Sequence, residues 1–172
     1  MGQYFKIVNP NKRQFLHAGR FYENIKASGL MYGNHAVAVA LLVCNSEGVR
    51  HEYGPLAGSW CGDPVIAAGD YGPPDVLGIK TSTEQDPHRN LYQMAYEEFD
   101  DISVGAIAML CEGREGFARE IVERAQSHNA NCLLADLGDI VFSIKCPPLE
   151  MALNEVFGDT WTKAYKLARA RR

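Results

Sequence analysis

The stretch GSWCGDPVIAAGDYG, residues 58–72, is the most distinctive part of the chain, because a short apolar run lies between two Gly-Asp pairs. The run PVIAA, residues 64–68, predicts a short buried strand. Gly-Asp pairs are typical of turns, since the Asp side chain bonds nearby backbone N–H groups. We therefore expect a strand with a turn at each end, and Asp63 and Asp70 in those turns.

Further strands are expected on the N-terminal side of this stretch. QYFKIVN, residues 3–9, and RQFLHA, residues 13–18, are rich in β-branched and aromatic residues, which favour strands. The intervening NPNK has the composition of a turn. The sequence therefore predicts an N-terminal β-hairpin.

Other segments predict helices. Residues 113–129 form an amphipathic pattern with Phe117, Ile121, Val122 and Ala125 on the apolar face, as a surface helix requires. The apolar run 36–44 follows Asn34, a good N-cap, and favours a helix over a central strand. Shorter helices are expected at 20–30, with Phe21 and Ile25 on one face and Gly29 at the end, and at 104–110 with Ser103 as the cap. Residues 91–99 fit either a strand or a helical turn.

The remaining segments complete the expected architecture. Residues 131–146 predict a strand, a tight turn at Gly138-Asp139 and a second strand. A basic C-terminal helix is expected from about 149 to 172 with an interruption at Gly158, and residues 71–90 predict a long surface loop. Strands and helices are mixed without a regular βαβ rhythm. We predict an α+β fold: a single domain over 1–172 with a mostly antiparallel sheet and packed helices.

Composition limits the class of protein. A length of 172 residues with 47% hydrophobic and 22% charged residues suits one globular domain. The net charge of −4 argues against a mainly electrostatic nucleic-acid binder. The N-terminus lacks a signal-peptide pattern, and the longest apolar run is too short to span a bilayer. Five cysteines without a CxxC pair suggest free thiols in a reducing compartment, so we expect a cytoplasmic protein and no membrane contact.

Cys61 is the first candidate for chemistry. WCGDP is similar to the start of a thioredoxin-type WCGxC site, but Asp63-Pro64 follows where the second Cys would be. A neighbouring carboxylate raises the pKa of a thiol. A nucleophilic Cys also needs a nearby His, and the sequence pairs none of its five with Cys61. A structural thiol is therefore the favoured interpretation.

Carboxylates are the second candidate. Asp63 and Asp70 lie about 23 Å apart if the strand between them is extended, so they share no water or metal unless the chain bends back. Either of them can instead join an acid from another segment: Asp100, Asp101, Asp136 or Asp139. A small hydrolase or ligand-binding enzyme using Asp63, Asp70 and Asp101 is thus an alternative to plain turn roles. No metal-ligand spacing, GxSxG, GxGxxG or Walker A motif occurs, so no cofactor or metal is expected.

Aromatic and basic residues suggest a binding function. Trp60, Tyr53 and Tyr71 lie in a Gly- and Pro-rich region, and such aromatics often anchor partners. The C-terminal helix carries a basic face that suits its dipole or an acidic partner: Lys163, Lys166, Arg169, Arg171 and Arg172. We therefore expect a non-enzymatic module that binds a protein partner or self-assembles. Its expected site is the region 53–75, with Trp60, Asp63, Asp70, Tyr71 and Tyr53 as binding residues.

The chain resembles a family of uncharacterised bacterial and fungal proteins. These proteins open with GQY, a strand and an Asn, and carry GxWxGD followed by GDY. The matching positions here are Gly2, Gln3, Tyr4, Asn9, Lys12, Arg13, Gly58, Trp60, Gly62, Asp63, Gly69, Asp70 and Tyr71. The resemblance covers the first 103 residues at most and implies no particular reaction. Cys61 departs from it, because a small residue such as Ala is expected there.

Overall fold

The computed structural model describes most of the chain. The described residues are 3–21, 23, 26–27, 30, 33–114, 116–127 and 131–171. Their packing gives two compact units. The first joins Met1–Asn45 to Gly58–Ser103, and the second joins Ser46–Ala57 to Val104–Arg172. A single domain over residues 1–172 stays a prediction, whereas the predicted α+β class is confirmed by the elements below.

The first unit contains a four-stranded sheet in the order β3-β1-β2-β4. Its strands are β1 (Phe5–Asn9), β2 (Gln14–Leu16), β3 (Ile66–Gly69) and β4 (Asp100–Asp101). β1 is antiparallel to β2 and β3, whereas β2 and β4 are parallel. The predicted hairpin and the predicted strand between the Gly-Asp pairs are confirmed. The sheet is mixed rather than purely antiparallel.

Helix α3 (Leu91–Glu98) packs on this sheet. Leu91 and Ala95, one helical turn apart, are buried in the cluster that Val8, Phe15, Ala68 and Phe99 complete. The helix begins with a capping box in which the side chains of Asn90 and Gln93 bond each other's backbone N–H groups. The segment that fitted either a strand or a helical turn is therefore helical.

Helix α1 (Asn34–Val43) confirms the helix favoured for the apolar run 36–44. The expected N-cap is wrong by one residue, because Gly33 occupies the cap and Asn34 is the first helical residue. The Glu23 carboxylate accepts the backbone N–H groups of Asn34 and His35. It therefore satisfies two of the N-terminal amides of the helix, which have no carbonyl partner within the helix.

Two other expectations for the first unit have mixed outcomes. Where a helix was expected at 20–30, Ala18–Phe21 form a 3-10 turn, while Ile25 and Gly29 lie outside the described residues. The loop 71–90 contains no helix or regular strand and is confirmed. Internal hydrogen bonds order it, since the Asp75 carboxylate accepts the N–H groups of Thr81 and Ser82.

The second unit is helical in its described residues. Its helices are α2 (Glu47–Tyr53), α4 (Ser103–Gly113), α5 (Phe117–Ser127), α6 (Asn131–Ile144), α7 (Pro147–Phe157) and α8 (Trp161–Ala170), with Ser103 at the boundary of the first unit. The main packing pairs are α5 with α7 and α6 with α8. The amphipathic helix expected at 113–129 and the break at Gly158 are confirmed.

The expected strand–turn–strand at 131–146 is wrong, because this segment is the single helix α6. Gly138 suggested a turn, but it allows close packing instead. A Cβ at Gly138 would collide with the ring of Tyr165 on α8. The hydroxyl of Tyr165 donates to the carboxylate of Asp139 at 2.7 Å. Gly138 and Asp139 therefore both contribute to the contact between helices α6 and α8.

Candidate functional site

Trp60 is a core residue of the first unit. Its side chain is 0% exposed, and its indole N–H donates to Gln14 Oε1 at 2.8 Å. The backbone N–H groups of Gly58 and Trp60 donate to the last carbonyls of helix α1. Trp60 thus anchors the segment 58–62 to the unit's interior. The exposed aromatic anchor expected at this position is absent.

Asp63 holds a turn together. Its carboxylate accepts the side-chain N–H groups of Asn9 and Asn11, each at 3.1 Å, and Lys12 Nζ lies 4.0 Å away. The hydrogen bonds from Asn9 and Asn11 lower the pKa of Asp63, and the charge of Lys12 contributes further. Asp63 therefore fastens the segment before β3 to the hairpin turn.

Asp70 lies at the other end of strand β1. Its Oδ1 accepts the backbone N–H of Tyr4 at 3.0 Å, and its own N–H donates to the Tyr4 carbonyl. Tyr4 and Asn9, the partners of Asp70 and Asp63, are five residues apart on an extended chain. That separation is about 16 Å, so the two carboxylates share no site.

Asp101 is in a third place. Its carboxylate accepts the N–H of Ser103 at 3.0 Å and is 3.4 Å from Arg20 Nε. Ser103, which was expected to cap α4, uses its hydroxyl to accept the N–H of His17. The three acids of the hydrolase alternative are therefore dispersed, and each one satisfies local backbone or side-chain groups.

The expected binding region 53–75 divides between the two units. Residues 58–75 belong to the first unit, where Tyr71 is 66% exposed and Cys61 is also exposed. Tyr53 belongs to the second unit, where it is half-buried at the end of α2. The aromatic residues expected to form one cluster therefore belong to different units.

The second unit contains an apolar cleft of about 550 Å³. Tyr53, Leu56, Met109 and Ile144 supply its large apolar side chains. The complete lining is His51, Glu52, Tyr53, Gly54, Pro55, Leu56, Gly105, Ala108, Met109, Glu112 and Ile144. Of the residues expected in the binding site, the cleft contains Tyr53 alone.

Small residues of α4 shape this cleft. A Cβ at Gly113 would collide with the Tyr53 ring, and a Cβ at Gly105 would lie 3.4 Å from Leu56 Cδ2. Gly105, Met109 and Gly113 follow one another at four-residue spacing and share a face of the helix. The two glycines near the ends of an apolar helix were visible in the sequence. The residues they contact, Leu56 and Tyr53, are distant in the sequence, so the cleft was not predicted.

The charged groups at the cleft are acidic. Glu52 and Glu112 are exposed lining residues, and the lining includes His51 but neither Lys nor Arg. Apolar walls with acidic side chains beside them suit a binding partner that presents an apolar group next to a cation.

Lys6 is the most unusual cation of the first unit, and the sequence did not indicate it. Its buried Nζ lies 3.6 Å from the ring centroid of Tyr92 and 4.6 Å from that of Tyr96, and it donates to the Tyr92 carbonyl at 3.4 Å. Burial lowers the pKa of Lys6 to about 8, although the charge of Asp101 acts in the opposite direction. The aromatic rings take the place of water around the amine.

The basic residues of α8 are exposed as far as the structure describes them. Lys163, Lys166 and Arg171 are exposed, and Arg169 bonds the Tyr165 hydroxyl at 2.7 Å and lies 3.3 Å from Asp139. Arg172 lies outside the described residues. Arg169 therefore contributes to the contact between α6 and α8, unlike the other described cations of this helix end.

Two features are absent from the residues that the structure describes. No group of three or more His, Cys, Asp or Glu side chains could hold a metal ion. No described helix combines the length and the apolar character needed to cross a bilayer. Comparison with family models, curated proteins and solved structures finds no match to this chain.

Proposed function

We propose that this chain is a non-enzymatic, self-associating binding module, in which the cleft of one copy takes helix α8 of another. The observation that carries the proposal is the apolar cleft with Glu52 and Glu112 at its edge. The proposal keeps the binding function expected from the sequence and assigns it to the second unit.

The size and polarity of the cleft suit a bulky apolar group. Ligand pockets typically have volumes of about 300–1,000 Å³ and mostly apolar walls, and this cleft has about 550 Å³. An aliphatic side chain entering it would contact Tyr53, Leu56 and Met109. Burying such a side chain contributes roughly 1.5–3 kcal/mol.

Helix α8 presents a side-chain pattern that matches the cleft. Leu167 is 55% exposed, and Lys163 and Arg171 lie four residues before and after it. Residues at this spacing line one face of a helix. The face therefore presents a leucine between two cations. Within the described residues, neither Lys163 nor Arg171 forms an ion pair.

Charge complementarity favours this occupant. The cleft offers carboxylates beside apolar walls, and α8 offers cations beside an apolar side chain. Opposite charges at the edge of an interface speed encounter and select the orientation. Because the cleft and the helix are different surfaces, a single contact leaves an unused helix on one copy and an unused cleft on the other. These pair reciprocally in a two-fold dimer or successively in a ring or chain.

The direct test is sedimentation velocity of the full chain over a range of protein and salt concentrations. We expect concentration-dependent association that weakens as salt rises, because the edge charges are exposed. Leu167→Glu should weaken association about 10- to 100-fold. Leu77→Glu is the matched control, since Leu77 is a 76% exposed leucine of the first unit.

Charge reversal tests the pairing itself. Glu52→Lys and Lys163→Glu should each weaken association, and a mixture of the two variants should associate better than either alone. A chain that stays monomeric at every concentration would overturn the proposal. So would association that Leu167→Glu leaves unchanged.

A further inference from the structure

The cleft of the second unit is acidic at one end and apolar at the other. Its floor is a stripe of helix α4 at the spacing i, i+3, i+4 and i+7, made by Gly105, Ala108, Met109 and Glu112. The stripe begins with small and apolar residues and ends with a carboxylate. The cleft therefore changes from apolar to acidic along the axis of α4.

Contacts across the cleft follow the same direction. Leu56 lies against the glycine at the apolar end of the stripe. The ring of Tyr53 lies against Gly113, the last residue of α4. Glu52 precedes Tyr53 in the chain and Glu112 precedes Gly113. Both acidic residues are therefore neighbours of the same ring contact, at the end of the cleft away from Leu56.

The acidic end lacks a permanent cation among the residues that the structure describes. Neither Lys nor Arg lines the cleft, and no described cation is paired with Glu52. Both carboxylates belong to exposed side chains, whereas Met109 on the floor is 4% exposed. A ligand with a positive head and an apolar tail complements both ends, and an anionic head would be repelled.

The dimensions of the cleft select the length of such a ligand. Gly105 and Glu112 are separated by about 10 Å along the axis of α4. An extended chain advances roughly 1.2 Å per bond, since three backbone bonds span about 3.6 Å. An aliphatic chain of about eight carbons therefore reaches from one end to the other. The volume of about 550 Å³ is sufficient, because a cavity of about 150 Å³ holds benzene.

We propose that the cleft also binds aliphatic primary amines of about eight carbons, with the ammonium group at Glu52 and Glu112 and the tail toward Leu56. Carboxylates attract the ammonium group, and the neighbouring ring of Tyr53 adds to this attraction. In the proposed self-association the same cleft receives helix α8, so the amine displaces that helix. Only this competition rests on the proposed function, because the binding of the amine depends on the cleft alone.

The site is tested on the full-length Leu167→Glu chain, whose helix α8 should not compete, and on the dilute unmodified chain. n-Octylamine is added below its micelle concentration to protein with ¹³C-labelled Met methyl groups. At pH 8 an alkylamine is charged and an unperturbed histidine is neutral. We expect the NMR signal of Met109 to shift, whereas the signal of Met94, which belongs to the first unit, should not.

The chemistry of the ligand is tested with three related compounds. n-Octanol and octanoate keep the tail but lack the positive head, so they should bind at least about 10-fold more weakly than n-octylamine. n-Hexylamine keeps the head and has two fewer CH₂ groups. It should bind up to about 15-fold more weakly, because less of the tail is buried.

A matched pair of variants tests the position of the head. Glu52→Gln should weaken n-octylamine binding about 5- to 10-fold, because it removes a charge and keeps the size of the side chain. Glu47→Gln is the control, since Glu47 is an exposed residue of the same helix α2 outside the cleft lining. Its affinity for n-octylamine should be unchanged. In sedimentation velocity, n-octylamine should also reduce the association of the unmodified chain.

Three results would overturn the amine site: a Met109 signal that does not move, n-octanol binding as tightly as n-octylamine, or equal affinities of the Glu52→Gln and Glu47→Gln chains. Bound n-octylamine that leaves association unchanged would overturn the competition. An unmodified chain that is monomeric throughout would overturn the contact with α8. The Met109 signal decides on the amine site in that case as well, so the two failures are distinguishable.

Discussion

Trp60 shows how strongly burial determines the role of a single residue. An aromatic side chain in a Gly-rich segment suggested a binding anchor, yet the indole is enclosed and bonded to Gln14. Trp60→Ala should destabilise the fold by about 3–5 kcal/mol, because it leaves a large cavity. Denaturant unfolding followed by circular dichroism measures this loss.

The matched control for Trp60 is Tyr71, which is an exposed aromatic of the same segment. Tyr71→Ala should change the free energy of unfolding by less than about 0.5 kcal/mol. Equal stability of the Trp60→Ala and Tyr71→Ala chains would contradict a core role for Trp60.

Lys6 should make the free energy of unfolding depend on pH in the alkaline range. Burial lowers its pKa from 10.5 to about 8 in the folded chain, so the folded state loses this proton before the unfolded state does. The unfolded state therefore binds more protons between these two values, and stability rises with pH across that window. Urea unfolding between pH 7 and 10.5 measures the rise.

Lys6→Met is the control for this effect, since methionine keeps an unbranched chain but does not titrate. The rise in stability between pH 8 and 10.5 should be smaller in this variant. A Lys6 side chain whose NMR signals titrate at the ordinary 10.5 would contradict the expected effect.

At the scale of elements, two glycines in helices allow close contacts with aromatic rings. Replacing a helical glycine with alanine usually stabilises a helix by up to about 1 kcal/mol. Gly113→Ala and Gly138→Ala should instead destabilise the chain, because the added Cβ collides with the rings of Tyr53 and Tyr165. Gly48→Ala in α2 should follow the usual rule, since its closest contact would be 3.7 Å.

Thermal and denaturant unfolding of these three variants measure the sign of each change. A stabilised Gly138→Ala chain would show that the α6–α8 contact does not depend on a missing Cβ. A stabilised Gly113→Ala chain would show that the packing of Tyr53 against α4 does not depend on a missing Cβ.

The elements that sequence reasoning identified correctly are those whose signal is local. The hairpin of β1 and β2 has turn residues between two β-rich runs, and α5 has a regular apolar face. Helix α6 was missed because the local meaning of Gly138-Asp139 is a turn. In the structure Gly138 instead packs against the ring of Tyr165, 27 residues further along the chain. The cleft was missed for a similar reason, since α2 and α4 are separated in the sequence by the whole segment 54–102.

At the scale of the whole molecule, the proposed association couples stability to concentration. A contact made only between folded chains stabilises the folded state by mass action. The melting temperature should therefore rise as the protein concentration rises, and this rise should shrink at high salt. Differential scanning calorimetry measures this rise. At a protein concentration about a hundred times the dissociation constant, the contact should stabilise the folded chain by about 2.7 kcal/mol.

Leu167→Glu should remove this dependence without lowering the melting temperature of the dilute chain, because Leu167 is exposed in the single copy. Leu77→Glu should keep the dependence. A melting temperature that is independent of concentration in the unmodified chain would contradict self-association. A dependence that persists in Leu167→Glu would assign association to a different surface. The two variants therefore separate the stability of the fold, which should depend on neither leucine, from the proposed contact, in which Leu167 enters the cleft beside Glu52 and Glu112.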